Sequence, residues 1–508
     1  MKKNLRLLSV MLICSILLLS ACGGNNSNGN NGKGNNNGEA STAPGSSAEK
    51  MTELTVAFPL FNQPPKDMSL VQDEINKITQ KKINVTVKFL PIGFGDWQQQ
   101  TNLMFSSGEK LDLIPTIWNY SNIVAKGQFI PLDDLLQKHG QGIIQALDPA
   151  YLDAAKVNGV TYAVPTLRDM ASSFGIAMRK DLIEKYKIDV SQIKRFEDIE
   201  AVLKTVKNGE PDISPLVTSV GSSILNSYQP YDTLGDLLGV LPDFDNDLKL
   251  VNLYESEEYA KQVHLVRKWY EEDLILKDAA TNKTTQYDLI KSNKAFAYLL
   301  RVQPQTYEGE TQNNGQPMEV VTFTEPVSTT STITNVMWGI ATNSKTPDKA
   351  MELLNLMYSD KDIVNLLIWG IEGKHYVVKS ENLIGFPEGV DAQSSGYFLN
   401  MGWMFGNQFI SYVWDGPNAD PQIWEKMKAF NKGAIKSKAL GFSFDSTPVK
   451  TEVANVGNVL SQYTLPLETG SVDPDKILPE FINKLKTAGI DKVIMEKQKQ
   501  LDEWKKNK

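Results

Sequence analysis

The chain has 508 residues, 41% of them hydrophobic and 22% charged, and a formal net charge of −8. That acidic balance lacks the basic footprint of a nucleic-acid binder, and the length exceeds what one core usually holds, so two lobes are expected. The only cysteines are Cys14 and Cys22, so the body must be stabilised by core burial without a disulfide.

In chain order, Lys2, Lys3 and Arg6 lead into an apolar run over residues 7–21. The run is too short for a comfortable membrane span of about 20 residues. It fits the apolar region of a secretory signal peptide, residues 1–21, which is removed. The ending Leu19-Ser20-Ala21-Cys22 resembles the bacterial lipoprotein box. That resemblance implies a diacylglyceryl group on the thiol of Cys22, which becomes the first residue after cleavage. The alternative is an ordinary signal peptide that happens to contain Cys22. Residues 22–50, rich in Gly, Asn and Ser, have little apolar surface to bury and read as a flexible tether.

Residues 54–58 read as a strand, followed by a helix with Leu70, Val71, Ile75 and Ile78 on one face. Ile83, Val85, Val87 and Phe89 alternate with polar residues as a strand does. A helix over about 97–106 and a buried strand over 111–117 complete a β-α-β-α-β start. Further strands are expected in 158–166, 174–179, 294–304, 318–327 and 335–344. Thr346 and Pro347 open a helix whose apolar face carries Ala350, Leu353, Leu354 and Met357. Two helices close the chain. One runs from Asp473-Pro474 to Gly489, and the other carries Ile490, Val493, Ile494, Leu501 and Trp504 on one stripe. That stripe should dock on a lobe rather than stand free. The alternation of strands and helices indicates an α/β fold with a largely parallel sheet, and ligands of such sheets bind beyond the carboxyl ends of the strands.

Four segments in this order, "DWQQQTNLMFSSGEKLDLI" (96–114), "NGVTYAVPTLRDMASSFGIAMRKDLIEKY" (158–186), "GIATNSKTPDKAMELLNLMYSDKD" (339–362) and "WGIEGKHYVV" (369–378), resemble the extracellular solute-binding proteins of carbohydrate-type ABC transporters. "GFSFDSTPVKTEVANV" (441–456) and "LPEFINKLKTAGIDKVIMEKQKQLDEW" (478–504) resemble an extra C-terminal domain of Gram-positive members. The resemblance implies a two-lobed α/β fold of the periplasmic-binding-protein type II, with a cleft between the lobes. It allots 51–164 with about 295–330 to lobe 1, 165–294 with about 331–440 to lobe 2, and 441–508 to a helical addition. Chain crossings are expected near Val164-Pro165 and near residues 295 and 330.

No P-loop, G-x-S-x-G or H-E-x-x-H pattern occurs, so no catalytic residues, cofactor or nucleotide site are assigned. His139, His264 and His375 lie far apart in sequence and read as surface or packing residues. "DFDND" (243–247) begins like a calcium loop, but its sixth position is Leu248 and its twelfth Tyr254, so it reads as a solvated turn and no metal is assigned.

A sugar presents C–H faces that stack on aromatic rings and hydroxyls that need planar polar partners. Trp118 and Tyr120 follow a buried strand. Arg168 and Asp169 follow the first expected crossing, and Arg301 sits on another crossing strand. Trp369, Tyr397, Trp403 and Trp414 form an aromatic cluster, and Phe61 and Asn62 follow the first strand. For each tryptophan the alternative is core packing, and for Arg168 and Asp169 a structural ion pair. The expected function is capture of a saccharide by a monomeric surface lipoprotein on the outer face of the cytoplasmic membrane. It would deliver the sugar to ABC permease subunits powered by a separate ATPase. A binder of peptides or another non-sugar solute, and a glycan-degrading enzyme, are the competing readings.

Overall fold

The computed structural model describes residues 50–416 and 419–508; the signal, Cys22 and nearly all of the expected tether lie outside the described residues. Residues 50–508 form one compact unit, built on two main sheets.

The first sheet has the order Val85–Gly93, Thr52–Leu60, Leu113–Ile117, Val336–Ile340, Ala163–Pro165. The first three strands are mutually parallel, with Thr52–Leu60 paired to both neighbours, and Val336–Ile340 runs antiparallel to both of its own. The first helix, Met68–Ile83, buries Val71, Ile75 and Thr79 at helical spacing against this sheet, and Lys81 and Lys82 sit where its dipole favours cations. It ends at Asn84, whose left-handed φ of 56° turns the chain into the next strand. Ile83 therefore belongs to the helix, although the alternating pattern extends a strand back to it.

The second sheet has the order Met318–Thr322, Ser173–Arg179, Ala295–Val302, Ser214–Val217. Ser173–Arg179 is antiparallel to both neighbours, and only Ala295–Val302 and Ser214–Val217 run parallel. The expectation of a largely parallel arrangement therefore describes the first sheet better than the second.

Strand pairing corrects the allotment of the returning segments. Ala295–Val302 belongs to the second sheet, and Val336–Ile340 to the first. The crossing expected near residue 295 is instead a strand inside the second lobe. The reason is that an apolar strand pattern records burial but not which sheet supplies the partner. The chain crosses between Pro165 and Ser173, again between Thr322 and Val336, and a third time near residue 435. There Val327–Ser328 pairs in parallel with Ile435–Lys436, and Ser172 bridges Val327. Asn431 braces these crossings: its Nδ2 donates to Arg168 O at 2.7 Å, and Met170 N donates to its Oδ1 at 2.9 Å.

The C-terminal helices Lys450–Glu468, Pro474–Ala488 and Ile490–Lys506 join the second lobe's core. Phe481, Leu485, Ile490 and Val493 share one buried cluster with Phe196, Tyr259 and Trp269. Leu501 is buried with Leu234, Leu241 and Phe442, and Trp504 packs against that cluster, so the apolar stripe docks as its pattern implies. Lys497 of the same helix is fully buried; its Nζ pairs with Asp236 and donates to Gly239 O.

Candidate ligand-binding cleft

Three parallel strands of the first sheet end side by side, and each is followed at once by an aromatic residue. Phe61 follows Thr52–Leu60, Phe94 follows Val85–Gly93, and Trp118 follows Leu113–Ile117. Phe61 and Phe94 stack with ring centroids 4.6 Å apart. Trp118 meets Phe94 edge-on at 6.2 Å, and Trp403 lies 6.0 Å from Phe61. The result is a row: Trp403, Phe61, Phe94, Trp118.

Three rings of this row face solvent, while Trp403 is half-buried against the core. Phe61 is 49% exposed, Phe94 38% and Trp118 66%, although burying such rings would be worth about 1.5–3 kcal/mol each. Trp118 is also held at a left-handed φ of 53°, its N–H donating to Asn335 O at 2.9 Å. A bulky residue adopts that conformation at a cost of about 1–2 kcal/mol. Asn62 is exposed beside Phe61. Phe94 is not among the site residues the sequence suggests. Its short glycine-flanked setting, Gly93-Phe94-Gly95, reads as a turn, but the strand-end rule applied to all three strands would have found it.

The other expected aromatics do not join the row. Trp369 ends the helix Lys361–Trp369, is buried, and donates its Nε1–H to Tyr412 O at 3.2 Å. Trp414 packs against Trp369, Phe386 and Phe398 with centroids 4.4–5.3 Å apart. Tyr397 is buried, donates to Leu367 O at 2.8 Å, and burial pushes its phenol up. Tyr120 is likewise buried, donating to Ala155 O at 2.6 Å, with its phenol pushed up by burial. Trp369, Tyr397 and Tyr120 complete core packing, because a ring with its polar tip satisfied by a backbone carbonyl is stable inside, and Trp414 is half-buried against Trp369.

Arg168 and Asp169 form an ion pair at the first crossing. Arg168 Nη1 donates to the Asp169 carbonyl and carboxylate, both at 2.9 Å, and Nη2 to Thr332 O at 3.0 Å. The second Asp169 oxygen accepts from Gln303 Nε2 of the second lobe. The pair thus links two crossings with the end of the Ala295–Val302 strand.

Arg301, at the carboxyl end of that strand, presents its guanidinium 5.8 Å from the Phe174 ring centroid and donates to Gln229 Oε1 at 3.4 Å. A cavity of about 830 Å³ beside the crossings takes walls from both lobes, including Gln303, Tyr307 and Glu308 of the second and Asp420, Lys426 and Phe430 of the first. Burial and the neighbouring Asp420 charge raise the Glu308 carboxyl.

Among the described residues no group of three or more His, Cys, Asp or Glu is placed to hold a metal ion. In the Asp243–Asp247 turn, Asp245 accepts from Asp247 N at 3.2 Å. The histidines stand apart: His139 beside Asp348 and Glu352, His264 on Asp475, and His375 on Asp67. No helix of the described residues is long and apolar enough to cross a membrane.

Comparison with known proteins places this geometry. Residues 62–363 match the bacterial extracellular solute-binding protein family, and residues 438–506 match a domain of unknown function. A carbohydrate ABC transporter substrate-binding protein of Streptococcus pneumoniae serotype 4 is 33% identical over 450 residues, covering 87% of this chain and 89% of the relative. The crystal structure of an N-glycan transport solute binding protein (NgtS) from Streptococcus pneumoniae superposes with a TM-score of 0.79 at 31% identity, covering 89% of this chain and 99% of that one. Its complex with Man5GlcNAc superposes with a TM-score of 0.65 at 31% identity, covering 90% and 99%. With two sheets, three crossings and an aromatic row at the strand ends, this chain belongs to the bacterial extracellular solute-binding protein family.

Proposed function

We propose that this chain captures an oligosaccharide between its two lobes and delivers it to a membrane permease of an ABC importer. The observation that carries the reading is the row of exposed Phe61, Phe94 and Trp118 continued by half-buried Trp403, with neighbouring centroids 4.6–6.2 Å apart. That step is about the length of one sugar ring, so the row suits a chain of rings better than a single one. The similar solute-binding protein that holds Man5GlcNAc in its crystal structure adds independent support.

In this mechanism the first lobe captures the sugar by stacking. The second lobe, with Arg301 and Gln229 at its strand ends, contacts the ligand only when the cleft closes. A ligand that touches both lobes in one state and one lobe in the other shifts the equilibrium towards closure. The three crossings, braced by Asn431 and the Arg168–Asp169 pair, are where that movement is absorbed. Diacylglyceryl modification of Cys22 anchors the protein outside the cytoplasmic membrane, the tether concentrates it near the permease, and it acts as a monomer. It performs no chemistry on the sugar, and a separate ATPase supplies the energy.

A thermal-shift screen of residues 50–508 against mono- and oligosaccharides tests the reading. A ligand at 100 times its Kd adds about 2.7 kcal/mol of stability, and oligosaccharides should give the larger shifts. Peptides that raise the melting temperature where no sugar does would replace the carbohydrate reading. Release of reducing sugar would replace the pure-binding one.

A further inference from the structure

The C-terminal helices do more than extend the second lobe's core. Glu468 ends the helix Lys450–Glu468, inside the segment that matches a domain of unknown function. Its side chain is 8% exposed. Ser223 Oγ donates to one carboxylate oxygen, and Tyr259 OH donates to the other at 3.0 Å. Ile224 N donates to the Glu468 backbone oxygen at 3.3 Å. A carboxylate in this position costs desolvation, which raises its pKa, and it is retained with both oxygens bonded.

Ser223 and Ile224 belong to the loop that follows the Ser214–Val217 strand. That strand runs parallel to Ala295–Val302, so the loop leaves the same edge of the sheet that carries Arg301. Within the loop, Asn226 N donates to Ser223 Oγ at 3.0 Å, and Gln229 Nε2 reaches Asn226 Oδ1 at 3.5 Å. Arg301 Nη2 then donates to Gln229 Oε1 at 3.4 Å. A continuous polar chain therefore runs from Glu468 through Ser223, Asn226 and Gln229 to Arg301. Ser223 and Gln229 are both buried along it.

We infer that the C-terminal domain positions the second lobe's ligand-facing loop, residues 218–229, through Glu468, and so sets where Arg301 stands. Glu468 is a positioning residue in this scheme, acting on ligand through others. The consequence for affinity rests on the oligosaccharide reading above; the positioning itself does not. A loop that must meet ligand on closure gains from being held in one conformation beforehand, because the ordering cost is then met in folding rather than in binding.

The test uses the processed full chain and four variants: Glu468→Ala, Glu468→Gln, Ser223→Ala and, as a control on the same helical domain, Phe481→Leu. Phe481 is fully buried in the second lobe's core and has no part in the polar chain. Hydrogen–deuterium exchange without ligand reads the loop, and calorimetric titration with Man5GlcNAc reads affinity. Glu468→Ala should raise exchange across 218–229 by about tenfold and weaken Man5GlcNAc binding by a similar factor. Ser223→Ala should do the same to a smaller degree. Glu468→Gln keeps two acceptable partners and should stay within about threefold of wild type on both readouts. Phe481→Leu should lower the melting temperature while leaving loop exchange and affinity as in wild type. Unchanged protection of 218–229 in Glu468→Ala, or an equal loosening in Phe481→Leu, overturns the inference. If the wild type binds no Man5GlcNAc, that counts against the sugar tested and the function proposed for the cleft, while the exchange experiment still decides the positioning.

Discussion

The first lobe holds two groups of four aromatic rings with the same chemistry and opposite fates. Trp403, Phe61, Phe94 and Trp118 line up, the last three at strand ends and each more than a third exposed. Trp369, Phe386, Phe398 and Trp414 pack on one another, with the Trp369 N–H bonded to a backbone carbonyl. Composition does not separate the two groups. Position does: Phe61, Phe94 and Trp118 sit in the turns after three adjacent parallel strands, where side chains leave the sheet's edge, and Trp403 meets them from a turn beside Phe61. The second group sits on a helix end and the segments folded over it. An aromatic cluster thus stays open to solvent only where the backbone delivers it to an edge the core does not cover.

The largest effect that would break or sharpen this contrast is loss of a packed ring. Trp369→Ala should lower unfolding stability by about 3–5 kcal/mol, read by thermal or denaturant melting, while the fraction that stays folded keeps its ligand affinity. Trp118→Ala should do the reverse. Affinity for the best oligosaccharide in the screen falls by about tenfold or more, the equivalent of ~1.5 kcal/mol, and the melting temperature barely moves. If both variants lose stability and both keep affinity, the two groups are the same thing and the row is not a platform.

Smaller effects refine the picture. Tyr397→Phe removes the bond to Leu367 O and should cost about 1 kcal/mol of stability with no change in binding. At position 118 the backbone itself can be probed. Trp118→Gly should be about 1 kcal/mol more stable than Trp118→Ala, because glycine occupies the left-handed φ without strain.

The smallest effect concerns a link between the two regions. His375 is buried; Ile371 N donates to its Nδ1 at 2.8 Å, so Nε2 carries the proton and donates to Asp67 at 3.2 Å. Asp67 closes the segment that begins at Phe61, and the His375 ring lies 5.7 Å from that of Tyr397. Burial holds the imidazole below its ordinary value despite Asp67, and Lys374 and Lys66 act in the same direction as burial. The unfolded chain therefore takes up the proton first. The stability that His375 contributes is complete above the ordinary imidazole range and is lost as pH falls through it. Burial tends to raise Asp67, but hydrogen bonds from His375 and Lys374 keep it below the usual carboxylate range, so it titrates at lower pH. Between pH 7 and 5 the wild type should lose more melting temperature than His375→Gln, by on the order of 1 °C. An identical pH dependence removes His375 as the cause.

Much of this architecture is legible in the sequence, and the unread parts have physical causes. The β-α-β-α-β start and the docked C-terminal stripe follow from periodicity, because burial on one face leaves a repeating signature. The destinations of Ala295–Val302 and Val336–Ile340 do not, since either sheet would bury the same residues. In the aromatic row, Phe61, Trp118 and Trp403 are readable from strand-end position and aromatic clustering. Phe94 is hidden between glycines. Tyr120 and Tyr397 resemble ligand residues until a backbone carbonyl is found at each hydroxyl. Arg168 and Asp169 are neighbours whose pairing is local, so the sequence leaves an ion pair open beside a ligand role. The bond from Ser223 to Glu468 joins residues far apart in the chain, on segments that carry no shared pattern, and only the fold brings it into view.

The most direct test of the central claim is a crystal structure of residues 50–508 with the oligosaccharide that raises the melting temperature most. The account predicts sugar faces stacked along Phe61, Phe94 and Trp118, with Arg301 brought to the hydroxyls from the opposite lobe. An oligosaccharide bound elsewhere, with these three rings still open to solvent, would contradict it.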